Sequence, residues 1–359
     1  MPGWEIINHI EKKKILEIFD KSNGVLFAHG FEERRKNIFR VRDFEKQVCK
    51  YLKVKYCVAT TSGTMAQYIA MKALGIKKGD EVITQAFTFV ATVEAILALD
   101  AKPVIVNIDK SLNMSAVDLE KKITKKTKLI IPVPMLGNPC DMNKILKISK
   151  RKKIPILEDA CESLGSKYNN KFVGTLGDVG VFSLDFGKVI TTGEGGLIVS
   201  NKKNIIDFCK EFHDHGHQNN PKKPRGKDTK KIWGLNLRMN ELQAAIGSAQ
   251  LSKLNYIIKK NKQNKKYLKK KIKKNKFFEF RKINSKNEIS DALILILNNK
   301  KNAKNLVKLL TNNKIGTKNL PDSLDWHFAG NWDHIFKHSK KYKKNYKKQW
   351  NKSRDLLER

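Results

Sequence analysis

The stretch "KLIIPVPMLGNPCDMNKILKISKRKKIPILED", Lys128 to Asp159, decides the fold. It holds a short apolar run, "KLIIPVPM", a segment of helical periodicity, "NKILKISKRK", and a second apolar run, "IPILED". Two short β-rich runs joined through a helix are a crossover connection. Such connections build a buried, mainly parallel sheet with helices on both faces.

The same unit recurs outward. "YCVATT" precedes "MAQYIAMKALGI", "DEVIT" precedes "FVATVEAILALD", and "PVIVNID" precedes "VDLEKKI"; beyond Asp159 come a loop and the runs "VGVFSL" and "GLIVS". The expected class is α/β. With 359 residues the chain exceeds what one core usually supports, which predicts two domains. After "RMNELQAAIGSAQLSKL" the composition turns lysine-rich, followed by one strand, "ALILILN", and a helix, "AKNLVKLLTNN". The predicted division is a large domain over residues 1–250 and a smaller C-terminal one over 251–359, with the N-terminal segment packing on the smaller one.

The 73 Lys+Arg against 35 Asp+Glu give a formal charge of +38. That charge suits phosphate contacts with nucleic acid or an anionic membrane. The excess, however, is lysine alternating with asparagine, as in "IIKKNKQNKKYLKKKIKKNK" (Ile257–Lys276), without a zinc-finger, RNP or zipper pattern. A solvated helix face is the preferred reading, and a basic regulatory or nucleic-acid-binding protein is the competing one. No apolar run reaches the length of a membrane span and "MPGWEIINHIEKKK" lacks a signal-peptide core, so a soluble, cytoplasmic protein is expected. Five cysteines without a CxxC pair read as reduced packing residues.

In open α/β sheets, ligands sit beyond the carboxyl ends of the strands. "TTSGTMAQ" (Thr60–Gln67) leaves a strand and opens a helix, so Gly63 and Thr64 lie in either a plain N-cap or an anion cradle. Asp159 ends an apolar strand, where a carboxylate caps a helix or meets a cation or donor. Lys188, in "SLDFGKVITTGEGG", stands among small and glycine residues, with Ser183 ahead of it. Cradle, buried acid and enclosed lysine together match one cofactor, pyridoxal 5'-phosphate (PLP). Its aldehyde needs a lysine amine, its ring nitrogen an acid, and its phosphate a set of donors.

The motifs "TTSGTMAQ", "TQAFTFVATVEAI", "GNPCDM", "EDACESLG", "GDVGVFSLDFGKVITTGEGGLIVSN" and "WGLNLRMNELQAAIG" resemble, in order and spacing, the DegT/DnrJ/EryC1/StrS sugar aminotransferases of the type I PLP fold. The resemblance implies that Lys188 is the Schiff-base lysine, Asp159 the partner of the ring nitrogen and Phe89 the aromatic lying on the ring. Glu162 falls where the family usually has glutamine, near the ring oxygen. Gly63, Thr64 and Ser183 would bind phosphate, and Asn236 would reach the phosphate of a neighbouring subunit in a homodimer. Position alone also allows Asn236 to be a helix cap.

Some relatives carry histidine in place of the lysine and act as dehydratases, so Lys188 implies transamination, with glutamate as the expected donor and a keto sugar as acceptor. Pro134 stands where many relatives have histidine, and relatives usually continue beyond "NKSRDLLER", which reads as a truncated small domain. "MPGWEI", "GVLFAHGFEERR", "HDHGHQNNPKKPRGKDT" and "DWHFAGNWDHI" are similar to the branch that aminates an oxidised Kdo sugar for lipopolysaccharide. His215, Arg225, Trp326 and His327 are the further candidates for the acidic or hydroxylated substrate, arginine because its planar fork matches a carboxylate. His213, His215 and His217 read as a polar loop rather than a metal site.

Overall fold

The computed structural model describes residues 2–220, 222–272, 276–317, 325–336 and 346–359. Its strands are β1 (Tyr56–Thr60), β2 (Glu81–Gln85), β3 (Lys102–Val106), β4 (Thr127–Ile130), β5 (Leu157–Asp159), the small hairpin β6 (Lys167–Tyr168) and β7 (Lys171–Phe172), β8 (Val179–Ser183) and β9 (Gly196–Ser200). Hydrogen bonding orders them β1-β9-β8-β5 and β3-β2-β4, and a parallel bridge between Ile130 and Ile156 joins the two sets. In this seven-stranded sheet β9 alone runs against the others. All seven strands lie in the apolar runs of the sequence.

Alternating residues of each strand feed two cores. Val58, Val82, Ile105, Leu129, Leu157, Val181 and Ile198 face one side, packed against α3 (Gly63–Ala73), α4 (Ala91–Leu97) and α7 (Lys203–Phe212). Cys57, Ile83, Val104, Ile130, Ile156, Phe182 and Val199 face the other, against α2 (Arg40–Leu52), α5 (Ala116–Lys122), α6 (Met142–Lys152) and α8 (Glu241–Lys271). Burial on both faces explains why the strands read as continuous apolar runs. The expected α/β class, a mainly parallel sheet with helices on both faces, is the observed one.

The N-terminal helix α1 (His9–Ser22) lies along α8, where Lys253 Nζ and Gln250 Nε2 donate to Glu11 at 2.6 and 2.7 Å. Ahead of it the Gly3 N–H donates to the Lys188 carbonyl at 2.9 Å and Trp4 stacks on Phe186. The segment thus packs on α8 and on the Lys188 loop. The cation that Glu11 finds, Lys253, lies in the part of α8 that the sequence reading assigns to the smaller unit, and Gln250 lies at its boundary.

Helix α8 also runs straight across residue 250. Asn240 and Gln243 form a reciprocal cap at its start, and no proline interrupts the helix up to Lys271. The lysine run is largely its solvent side, with Lys265 as an exception: its Nζ donates to Glu288 at 2.6 Å. Beyond α8, β10 (Phe278–Phe280) and β11 (Leu295–Leu297) pair antiparallel, followed by α9 (Lys300–Asn312). Only β11 was expected; β10 is three residues long and its pattern is that of a lysine-rich loop. Trp332, Phe336 and Trp350 return to the first core, where the Trp350 indole donates to the Ile105 carbonyl.

Candidate active site

The carboxyl ends of β1, β5 and β8 open on a cavity of about 510 Å³, within the usual size of small-molecule sites. Ser62 starts α3 directly after β1, and its Oγ accepts from the Met65 N–H. The amides of Gly63 and Thr64 therefore belong to a helix first turn, which has no intrahelical acceptors. Gly63 is required here by close approach: a Cβ on it would come within 2.8 Å of the Ser183 Cβ and 3.2 Å of the Cys161 Sγ. The helix end and the end of β8 thus meet, with Ser183 beside the open amides.

Asp159 ends β5 in the cavity floor, 3% exposed. Its Oδ2 accepts from Gln67 Nε2 at 3.0 Å and Thr92 Oγ1 at 2.7 Å, and its Oδ1 from the Cys161 N–H at 3.4 Å. No helix follows, so Asp159 is not a cap. Burial raises its pKa, opposed by the hydrogen bonds from Cys161 and Thr92 and by the charge of Lys188. Thr88 Oγ1 lies 2.8 Å from Thr92 Oγ1, extending the chain of hydroxyls.

Lys188 reaches the same cavity from the loop after β8, its Nζ 3.9 Å from Glu162 Oε1. Burial alone would lower its pKa, but Glu162, Cys161, Asp185 and Asp159 raise it by more, so the amine sits above its ordinary range. Glu162 Oε2 accepts from the Leu136 N–H at 2.9 Å. Phe89, 43% exposed, lines the wall next to the His327 ring, 5.3 Å between centroids. His327 is held by the backbone: the Thr88 N–H donates to the His327 carbonyl, Val90 N–H to Trp326 and Ala329 N–H to Ala86.

The structure therefore brings together Gly63, Thr64, Phe89, Asp159, Glu162, Ser183, Lys188 and His327. The other four candidates lie elsewhere in this chain. Arg225 holds Asp214 through two nitrogens at 2.9 and 2.5 Å, so its fork already has a carboxylate. Asp214 also receives Arg238 and His29, and the Arg225 hydrogen bonds, with His29 and Asn219, keep its carboxyl far below the ordinary range despite burial. His215 is exposed in the same loop, at φ 54°. Trp326 lends its carbonyl to the site's backbone, but its side chain is 58% exposed and outside the cavity. Asn236 pairs as an isolated bridge with Asp214; the cap of α8 is Asn240, which removes the cap reading of Asn236.

Gln67, Thr92, Cys161 and Asp291 also line the cavity and were not singled out from the sequence. Gln67 and Thr92 had a signal, being polar residues on otherwise apolar helix faces. Gln67 Oε1 is buried without a hydrogen-bond partner among the described residues.

Residues 36–347 match the DegT/DnrJ/EryC1/StrS aminotransferase family. The chain belongs to this family. A GDP-perosamine synthase of Escherichia coli O157:H7 is 39% identical over 228 residues, which are 62% of this chain and 60% of that protein. The UDP-4-amino-4,6-dideoxy-N-acetyl-beta-L-altrosamine transaminase of Campylobacter jejuni is 34% identical over 268 residues, 72% of this chain and 68% of that one. The matches to the perosamine synthases thus span about three fifths of those relatives' length. Among solved structures, a GDP-4-keto-6-deoxymannose-3-dehydratase with a trapped PLP-glutamate geminal diamine superposes with a TM-score of 0.76 at 29% identity, covering 87% of this chain and 83% of that one. Helicobacter pylori PseC, an aminotransferase of pseudoaminic acid biosynthesis, gives 0.78 at 25% identity, covering 98% and 90%.

Proposed function

We propose that this protein is a PLP-dependent aminotransferase that moves an amino group from glutamate to a keto sugar, nucleotide-linked or of Kdo type, for surface polysaccharide or lipopolysaccharide biosynthesis in the cytoplasm. It works as a homodimer with shared sites. The observation that carries the reading is the enclosure of Lys188 and Asp159 in one cavity with the start of α3. The residues fit the cofactor: Gly63 leaves room at a helix N-terminus for a phosphate, Asp159 is a buried acid already partnered by donors, and Phe89 offers a ring. Bound PLP supplies an aldehyde for the lysine amine and, with its ring nitrogen protonated, a sink for electrons.

The chain's own groups do the rest. Lys188 Nζ takes the proton from the donor's α-carbon and later delivers one to the new amine-bearing carbon of the sugar. Asp159, oriented by Thr92, Gln67 and Cys161, holds a proton on the ring nitrogen throughout. Residues 1–250 form the cofactor unit in this reading, and the unit from 251 onward closes the substrate side, since Ile289, Asp291 and His327 line the cavity. The test is spectroscopic. The purified protein should be yellow with a borohydride-trappable cofactor on Lys188, bleach with glutamate and recover with a keto sugar. A colourless protein that takes up no PLP, or a yellow one inert to every amino acid, would refute it.

A further inference from the structure

The loop after β10 lines the cavity with Ile289 and Asp291, and its Arg281 reaches the site through a turn rather than directly. Arg281, 5% exposed, points both guanidinium nitrogens at that turn: Nη1 donates to the Met135 carbonyl at 3.0 Å and Nη2 to the Leu136 carbonyl at 2.9 Å. The turn has an uncommon shape. Leu136 has φ 52° and Gly137 φ 71°, both left-handed, and a non-glycine residue keeps that conformation only where its surroundings over-determine it. A Cβ on Gly137 would lie 2.3 Å from the Ile289 Cγ1 and 2.8 Å from the Asp291 Oδ1, so the same segment closes over the turn. Leu136 in turn gives its N–H to Glu162, the carboxylate beside Lys188. Arg281 is itself anchored from behind by Glu288, 3.7 Å away, which also holds Lys265 of α8.

We propose that Arg281 is a positioning residue: by gripping the Met135–Gly137 turn it fixes Glu162 beside Lys188 and so couples the C-terminal unit to the reactive amine. The grip depends on the fork. Lysine has the same charge but cannot bond two adjacent carbonyls in one plane. The proposal concerns the site assigned above, yet it is read on the cofactor-free chain and therefore fails or stands apart from the transamination reading.

The experiment follows the pH dependence of Lys188 modification by a small amine-reactive reagent, trinitrobenzenesulfonate, with the labelled peptide quantified by mass spectrometry. The groups acting on Lys188 are Glu162, Cys161, Asp185 and Asp159. Removing the Glu162 charge by Glu162→Gln should move the midpoint to lower pH. Arg281→Met should move it in the same direction, and the double variant should add nothing beyond the larger single shift, because both act through one carboxylate. Arg281→Lys should behave like Arg281→Met. The proposal is overturned if Arg281→Met leaves the midpoint unchanged while Glu162→Gln moves it, if the two shifts add, or if Arg281→Lys restores the parent value. Gly137→Ala, which crowds the turn from the other side, gives a second entry to the same readout should Arg281→Met fail to fold; an unmoved midpoint there also counts against the proposal.

Discussion

Replacing Thr92 by valine keeps the shape of α4's buried face and removes one hydroxyl. In the parent that hydroxyl donates to Asp159 Oδ2 at 2.7 Å and lies 2.8 Å from the Thr88 hydroxyl. A hydrogen bond to a charged acceptor contributes about 1.5 to 3 kcal/mol, and the Thr88 hydroxyl keeps the Phe89 carbonyl at 3.4 Å as a partner, so Thr92→Val should cost about 1.5 to 3 kcal/mol. The pH dependence separates this cause from a packing defect. Asp159 has a folded pKa raised above its ordinary 3.8, chiefly by burial, so its ionised form weakens the fold increasingly as pH rises from the unfolded value through the folded one. Losing a donor to the ionised form raises the folded value further. The added cost should thus be larger at about pH 8 than at about pH 4.5. Urea unfolding of the cofactor-free variant and parent at both pH values measures it, with Thr88→Val as a control expected to cost about 1 kcal/mol at either pH. A cost below about 0.5 kcal/mol, or one independent of pH, would refute the role given to Thr92.

Lys188→Ala should fold and dimerise but show no borohydride-trappable cofactor; trapping on another lysine with full turnover would reject the assignment. Gly63→Ala places a Cβ 2.8 Å from Ser183, and overpacking of this kind costs about 1 to 3 kcal/mol, read as a lower melting temperature together with weaker PLP retention. Arg225→Ala should lower stability by about 1 kcal/mol, discounted for its partial exposure, with the KM for either substrate unaltered, because its fork serves Asp214. Mixing Asn236→Ala with Lys188→Ala subunits should yield heterodimers with one working site; no activity at saturating PLP, with each variant still dimeric, would reject the cross-subunit role of Asn236.

Much of this architecture was legible because burial on both faces writes a strand as an unbroken apolar run, and because the residues that approach a cofactor sit directly after such runs. That is how Lys188, Asp159 and Ser183, which line one cavity, could be picked out. Arg225 shows where the approach fails. Its chemistry suits a carboxylate, but sequence does not say which one, and Asp214 holds it in the same chain. Thr92 and Gln67 escaped for the opposite reason: within apolar helices their polarity was visible, but the acid they serve lies on a strand far along the chain. Arg281 sat in a lysine-rich region where one more cation carries no contrast.

The backbone pairing between residues 86–90 and 326–329 has a bearing on how the molecule comes into being. These stretches are separated by most of the chain, and contacts of such long sequence separation are late and slow to form. On the ribosome, the strand that carries Asp159 and the loop that carries Lys188 emerge well before the segment that completes the wall around them. A nascent chain therefore presents both groups in a cavity whose Phe89 wall is not yet closed by His327, so full enclosure of the site marks completed folding.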